Sequence, residues 1–387
     1  MTAQTYDVVI VGAGIVGAAF AAAMRDSGLK LALIEPHPPA PPTADWDTRI
    51  YAISPGSADF LQTLGVWQTL DQGRIGPVYG MHIRGDSGAA LKFDAYSAGV
   101  PQLAAIMESG RIQYGLWEVL QDQSNLTLFA GAGCAELAWS AAGARLALAD
   151  GTVLHSKLIV AADGGQSWVR QQAGITSQRE DYLQSGVVAN FSVERPHRGI
   201  ARQWFRADGV LAWLPLPENH ISMVWSTDAA HTQALLAATP EQLAAEVAAA
   251  GGHELGRLSQ VGRTAAFPLS INRVSTLVQP GLALIGDAAH GVHPLAGQGV
   301  NLGLRDAREL AQVLQQRGGA SCGELALLRR YERARKGDIA AMQTVTDSLH
   351  HVFRSQNPLL MKLRNAGMDF TNHLNPVKTW LMRQALG

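Results

Sequence analysis

Hydrophobic positions in this chain follow two periods, and the change from one to the other marks out its elements. Residues 6–11 form a β-branched apolar run that stops at Gly-x-Gly-x-x-Gly, with glycines at Gly12, Gly14 and Gly17. The Ala-rich residues 18–26 favour a helix, Gly28 is placed to cap it, and residues 30–34 form a second apolar run ending in Glu35. Strand, glycine turn, helix and strand at this spacing predict a βαβ unit. A Pro-rich loop at 36–42 and a helix over 57–70 follow.

The middle of the chain changes character. Residues 82–93 and 187–227 alternate or are rich in aromatics, with turn signals at Gly85-Asp86, Asp208-Gly209 and Glu218-Asn219, and predict antiparallel sheet. Between them lie a helix over 112–121 and strands over 126–149 broken by Gly131, Gly133 and Gly143. A buried strand at 158–162 then leads into Asp163-Gly164-Gly165 and a short helix at 167–171. Residues 239–249 predict a helix on the outer face of the sheet. A last buried run, 282–285, opens the stretch 286–306, GDAAHGVHPLAGQGVNLGLRD, in which a helix begins near Gly299. Helical spacing continues through Met342, Val345, Leu349, Val352 and Phe353, and Pro358 and Pro376 mark breaks.

The glycine signature opens the chain, whereas its partner lies beyond Gly286. The sheet-rich middle must therefore be inserted into a single α/β fold. That places a discontinuous Rossmann-like domain at 1–75, 97–180 and 270–330, an antiparallel β-sheet domain at 76–96 and 181–269, and a helical C-terminal region at 331–387.

Composition narrows the function classes. Hydrophobic residues at 47% and charged residues at 16% supply a sizeable core and exclude wholesale disorder. A net charge of −1 gives no electrostatic ground for a nucleic-acid partner. The two cysteines, Cys134 and Cys322, lack ligand spacing, so neither a disulfide scaffold nor a zinc site is expected and a cytoplasmic setting is. The apolar run from Val8 to Met24 lacks a basic flank and carries glycines, which suits a strand-to-helix turn better than a signal peptide or a span.

The candidate chemistry is that of a dinucleotide site. Gly12 allows a tight turn, Gly14 lets backbone approach a diphosphate, Gly17 lets helix and strand meet, and Glu35 can accept bonds from ribose hydroxyls. These residues leave NAD and FAD both open. Asp163 and Asp287 each follow a strand, where a carboxylate can bind ligand hydroxyls ahead of a helix N-terminus. His290 and His293 are three apart, but no carboxylate or cysteine set completes a metal site, and none is expected. Trp204, Trp213 and Trp225 fit an aromatic pocket and a packed core equally well.

Taken together, GxGxxG with Glu35, Arg49 in DTRIYAIS, AADGGQS and GDAAHGVHPLAGQGVNLGLRD resemble the FAD-dependent aromatic hydroxylases of the para-hydroxybenzoate hydroxylase type. Within that group the chain is most similar to the ubiquinone-biosynthesis hydroxylases, through HPLAGQGVNLGLRD, LAWLPLP, MVWST, Phe267-Pro268-Leu269, YERARKGD and LRNAGMDF. The resemblance covers nearly the whole chain. It implies FAD as cofactor, NAD(P)H as electron donor and O2 as co-substrate, with a C4a-hydroperoxide of the flavin hydroxylating an aromatic ring.

Carried over to this sequence, the resemblance assigns Gly12, Gly14, Gly17 and Glu35 to the ADP half of FAD and Arg49, Arg111 and Asp163 to the diphosphate region or flavin. Asp287 is assigned to the ribityl chain and Gly299, Val300 and Asn301 to the ring. His293, Pro294 and Gln203 are the candidate catalytic residues. Two departures stand out: the family's Arg two residues after Glu108 is Gly110 here with Arg111 next, and the family's Trp-Gln-Arg-Phe reads Arg202-Gln203-Trp204-Phe205. The implied partner is a small aromatic molecule, a prenylated quinone precursor, and the amphipathic residues 359–364 fit either contact with the membrane surface that holds it or a helix docked on the enzyme's own core. Other quinone-biosynthesis proteins and a second copy of the chain are the further partners this suggests. A hydroxylase of a soluble aromatic compound and a non-catalytic flavin-binding scaffold are the competing readings.

Overall fold

The computed structural model describes residues 4–85, 90–140, 143–292 and 299–354. Its first sheet is built from three separated parts of the chain. Strand Gln4–Val11 lies between Leu31–Glu35 and Val153–Ala161, with Leu126–Ala130 beyond the former and Leu282–Leu284 beyond the latter, all parallel. Parallel strands are covered on both faces, which is why these runs are apolar without alternation. An antiparallel pair, Cys134–Ser140 and Gly143–Leu148, extends from Val153–Ala161 and is punctuated at the predicted glycines. Helices Ile15–Ala23, Ser109–Gln121 and Gly299–Gln315 contribute side chains to the same core as these strands.

Helix ends required correction. The first helix closes at Ala23 with Met24 as its cap, so Gly28 is not the C-cap; at φ +69° it turns the chain into the next strand. Asn125 explains the early stop, because its Nδ2 donates to the carbonyls of Met24 and Leu29 at 3.0 and 2.9 Å and holds the connection. Likewise the helix expected over 57–70 is Pro55–Thr63, capped by Ser54 and ended near Gly65 at φ +81°.

The second sheet has eight strands in the order His290–Gly291, Leu258–Val274, Ser177–Val193, His220–Asp228, Gly209–Leu216, Ile200–Arg206, Gly80–Arg84 and Ala90–Asp94. Its hairpins are antiparallel, and in the turn between Leu216 and His220 both Glu218 and Asn219 have positive φ, which matches the right-handed twist of the strands. One pairing departs from the all-antiparallel expectation: Gly80–Arg84 runs parallel to Ile200–Arg206. These strands come from distant parts of the chain, so no tight turn constrains their direction. Asp86, in the turn expected at 85–86, lies outside the described residues.

Packing decides the tryptophan question in favour of the core. Trp204, Trp213 and Trp225 project from one face of this sheet and are buried with Leu235, Leu243 and Val247, under helices Ala229–Ala237 and Pro240–Ala250. Gly251 lies so close to Trp213 that an added Cβ would sit 2.1 Å from the ring. A third sheet of three strands, Ile50–Ile53, Ala104–Glu108 and Gly76–Val78, was not anticipated. The final described element is helix Leu325–Arg354. Pro358, Pro376 and residues 359–364 lie outside the described residues. No helix among the described residues is long and apolar enough to cross a membrane.

Candidate active site

A cavity of about 940 Å³ is lined by strands of the second and third sheets and by the loops and helix start that follow strands of the first. At one end, Gly14, Ile15 and Val16 bring the start of the first helix to its wall. That helix has no side-chain cap and no acid in its first turn, so its N–H groups and positive dipole end are available to an anion. The three glycines of the loop have different tasks. At Gly12 (φ +101°) a Cβ would lie 2.5 Å from the Ala162 carbonyl oxygen, and at Gly17 it would lie 2.0 Å from the Gly12 oxygen. At Gly14, by contrast, no described atom lies within 4 Å of such a Cβ, so the space beside it is open.

Gly164 and Gly165 border the cavity with the same open space. Asp163 lies just before them. Its Oδ2 accepts the Val169 N–H at 3.0 Å, and its Oδ1 is buried with no partner. Glu35 ends its strand as predicted and accepts N–H bonds from Ala13 at 2.7 Å and His37 at 2.9 Å, tying the glycine loop to the strand end. An uncapped helix start, open glycines and an unpaired carboxylate oxygen fit the diphosphate and ribose of a dinucleotide.

Asp287 is the only acidic side chain lining the cavity among the described residues. It is exposed in a turn, Gly286–Ala288, that is fastened from beneath by Asp306. The Asp306 carboxylate accepts the Gly286 N–H at 3.0 Å, contacts the His290 ring nitrogen Nε2 and accepts Arg335 Nε at 2.7 Å. Burial alone would raise the Asp306 carboxyl, but His290 and Arg335 outweigh it and hold the group below the ordinary carboxylate value. This network engages His290 as a structural residue. Nothing local in the sequence marks Asp306, because the side chains that define it are 16 and 29 residues away.

Gly299 and Val300 line the cavity, whereas Asn301 lies behind it. The Asn301 carboxamide accepts the Ser54 N–H at 2.9 Å and donates to Ala52 O at 2.8 Å, stapling the helix start to strand Ile50–Ile53. That strand carries Tyr51 into the cavity wall beside Arg49, whose guanidinium carbon is 5.6 Å from the Tyr51 ring centre. Burial raises the Tyr51 phenol above its ordinary value, with Arg49 opposing and Asp287 adding, so it stays a neutral O–H donor. Its position two residues after Arg49, in the strand that Arg49 leads into, is the available signal.

Arg111 is placed outside the cavity lining. Its Nε donates to Glu108 at 2.7 Å and its guanidinium to the Thr43 carbonyl at 2.8 Å, while Arg74 takes the same buried Glu108. The departure from the family's spacing thus turns this Arg toward the loop around residue 43. The same segment does supply cavity residues, Ser109 and Gln113.

The remaining wall is the face of the second sheet opposite the tryptophans. Gln203, Val210, Ala212, Val224, Ser226 and Val188 point into the cavity at alternate positions. Gln203 is 5% exposed. The period of two sends its neighbours Arg202 and Trp204 the other way, and Arg202 pairs with Glu254 at 2.9 Å. His293 and Pro294 lie outside the described residues; Val292 and Gly299, which bracket them, line the cavity.

A doubly wound sheet with a glycine-loop dinucleotide cradle, facing an inserted sheet across one cavity, defines a flavoprotein oxidoreductase. The family model described as FAD binding domain matches residues 5–346, and the chain belongs to that family. It is an FAD-dependent monooxygenase of the aromatic-hydroxylase type. Among its relatives is 3-demethoxyubiquinol 3-hydroxylase of Escherichia coli (strain K12), 36% identical over the full length of both chains. Ubiquinone hydroxylase UbiL of Rhodospirillum rubrum is 34% identical over 98% of this chain and 89% of its own. The fold is that of p-nitrophenol 4-monooxygenase PnpA from Pseudomonas putida, with a TM-score of 0.79 at 18% identity over 99% of both chains. Klebsiella pneumoniae HpxO, solved with FAD and uric acid, matches at a TM-score of 0.77 and 18% identity, over 98% of this chain and 97% of that one.

Proposed function

We propose that this chain hydroxylates the aromatic ring of a polyprenylated ubiquinone precursor, using FAD, O2 and NAD(P)H. The observation that carries this reading is the extent of the apolar wall. Beyond Gln203 the lining continues through Val78, Met81, Leu103, Ile106 and Leu214, more apolar surface than a bare phenol covers. An isoprenoid chain would fill it, and the full-length relatives named for ubiquinone intermediates support the same substrate class.

In this reading Gly12, Gly14, Gly17 and Glu35 form the seat of the ADP half, with Arg49 and Asp163 at the diphosphate. Asp287 holds the ribityl chain, and Gly299 and Val300 border the ring, with Asn301 acting from behind. Arg111 acts through Glu108 on the loop around residue 43. When bound, FAD takes electrons from NAD(P)H and activates O2, so that one oxygen atom enters the substrate ring and the other leaves as water. The chain's task is to exclude water along the apolar sheet face and to orient the ring hydroxyl, through Gln203 with His293 and Pro294. A prenylated substrate is met at a membrane surface, and residues 359–364 have the amphipathic composition for such contact or for other proteins of the pathway.

Deletion of the gene followed by mass spectrometry of quinone intermediates tests the substrate. Accumulation of a prenylated precursor one hydroxyl short, cleared when the gene is restored, is expected. A normal quinone profile rejects the assignment, and purified enzyme that hydroxylates only soluble phenols replaces it with the catabolic alternative.

A further inference from the structure

Asn272 is a polar residue of the cavity wall that the proposed function leaves without a task. It sits near the end of strand Leu258–Val274, is 6% exposed and lines the cavity. Both side-chain polar atoms, Oδ1 and Nδ2, are buried and have no hydrogen-bond partner. Its carbonyl is well served, since Gln343 Nε2 donates to Asn272 O at 2.8 Å and to Gly291 O at 3.0 Å. The backbone is therefore clamped while the carboxamide is left unsatisfied. An unpaired buried carboxamide destabilises a fold, and an apolar residue of similar size would not. A group kept under that penalty, at the wall of a binding cavity, is explained by a ligand that completes it.

Position selects which ligand. Asn272 pairs with Gly291, which joins the Asp287 turn to Val292 on the cavity wall. Gln203, the other buried carboxamide of the wall, lies four strands away in the same sheet, roughly 19 Å across at the usual strand spacing. One aromatic ring cannot reach both. Gln203 faces the apolar substrate wall, so Asn272 faces what is held at the Asp287–Val300 end. A carboxamide presents a donor and an acceptor side by side, the complement of a ring edge carrying adjacent C=O and N–H groups.

We propose that Asn272 hydrogen-bonds the flavin ring system of FAD through its carboxamide. The inference rests on the proposed seat of that ring at Gly299 and Val300, and adds to it a contact from the inserted sheet. Bound flavin would then be gripped from both sheets.

The test is Asn272→Leu in the full chain. Apo Asn272→Leu is expected to melt at or above the temperature of apo wild type, because it removes an unsatisfied group. Its FAD dissociation constant, read by flavin-fluorescence titration, is expected to rise about 3- to 10-fold, the scale of one net hydrogen bond. The absorption spectrum and midpoint potential of the bound flavin should shift as well. Unchanged FAD affinity, spectrum and potential overturn the proposal. So does a lowered apo melting temperature, which would mean that the carboxamide is satisfied within the protein, and so does a rise confined to the KM of the aromatic substrate. Wild type that fails to bind FAD would instead reject the proposed flavin seat itself.

Discussion

At the residue scale, the site uses carboxylates in two ways that their neighbours separate. Asp287 is exposed to the cavity, whereas Asp306 is wholly buried and fastens the turn that carries it. Asp287→Ala is therefore expected to leave the fold intact and weaken FAD binding about 10- to 100-fold, as losing a hydrogen bond to a charged group does. Flavin content after purification and a fluorescence titration measure it; full occupancy would refute the ribityl assignment. Asp306 should behave differently. Its folded carboxyl lies below the ordinary value of 3.8, so its contribution is fully present above that pH and is lost as pH falls through the depressed value. Asp306→Asn would strip the buried Arg335 and His290 of their shared carboxylate, leaving Arg335 the partly exposed Asp338 at 2.6 Å, and cost about 1.5–3 kcal/mol at neutral pH. Denaturant unfolding at pH 7 and below pH 4 should show a less stable variant with a shallower acid loss than wild type.

At the scale of elements, glycine is required for two reasons. Gly17 allows helix Ile15–Ala23 to rest against the Gly12 carbonyl, where an added Cβ meets rigid backbone. Gly14 instead borders open space at the cavity wall. Gly17→Ala should therefore lower the melting temperature of the apo protein, with overpacking of about 1–3 kcal/mol or more. Gly14→Ala should melt like wild type and bind FAD poorly. Thermal melts and flavin titrations on the pair separate the two roles, and equal melting of the two apo variants would contradict them. Gly303 repeats the close approach from the other helix, since its Cβ would lie 2.5 Å from a Val16 methyl. This was legible only as a glycine within a helical pattern, because its neighbour is nearly the whole chain away.

At the scale of the whole molecule, the cavity exists because the loops at the strand ends of the first sheet meet one face of the second, with strands of the third beside them, all from interleaved segments. Neither sheet alone closes it, so the glycine cradle and the apolar substrate wall depend on one another's placement. Long insertions between the pieces of one fold are tolerated because loop-closure cost grows slowly with length. The two thiols stay protonated: burial pushes the half-buried Cys134 up to about 12 and the buried Cys322 up to about 11.

The sequence by itself determined the βαβ start, the glycine loop, the strands broken at Gly131 and Gly143, and the discontinuous order of the fold. It did so because backbone sterics and burial period act within a few residues. A dinucleotide cofactor was legible in Gly12, Gly14 and Glu35, where turn and strand-end geometry is local, whereas FAD in particular came from the resemblance to the aromatic hydroxylases. Only the tertiary structure decided that Trp204 packs outward while Gln203 points inward, that Arg111 serves Glu108, and that Asp306 holds the Asp287 turn. Each of these depends on which face of a sheet is covered, or on a partner distant in sequence. The orphaned carboxamide of Asn272 belongs to the same class, because an unsatisfied group is defined by everything around it.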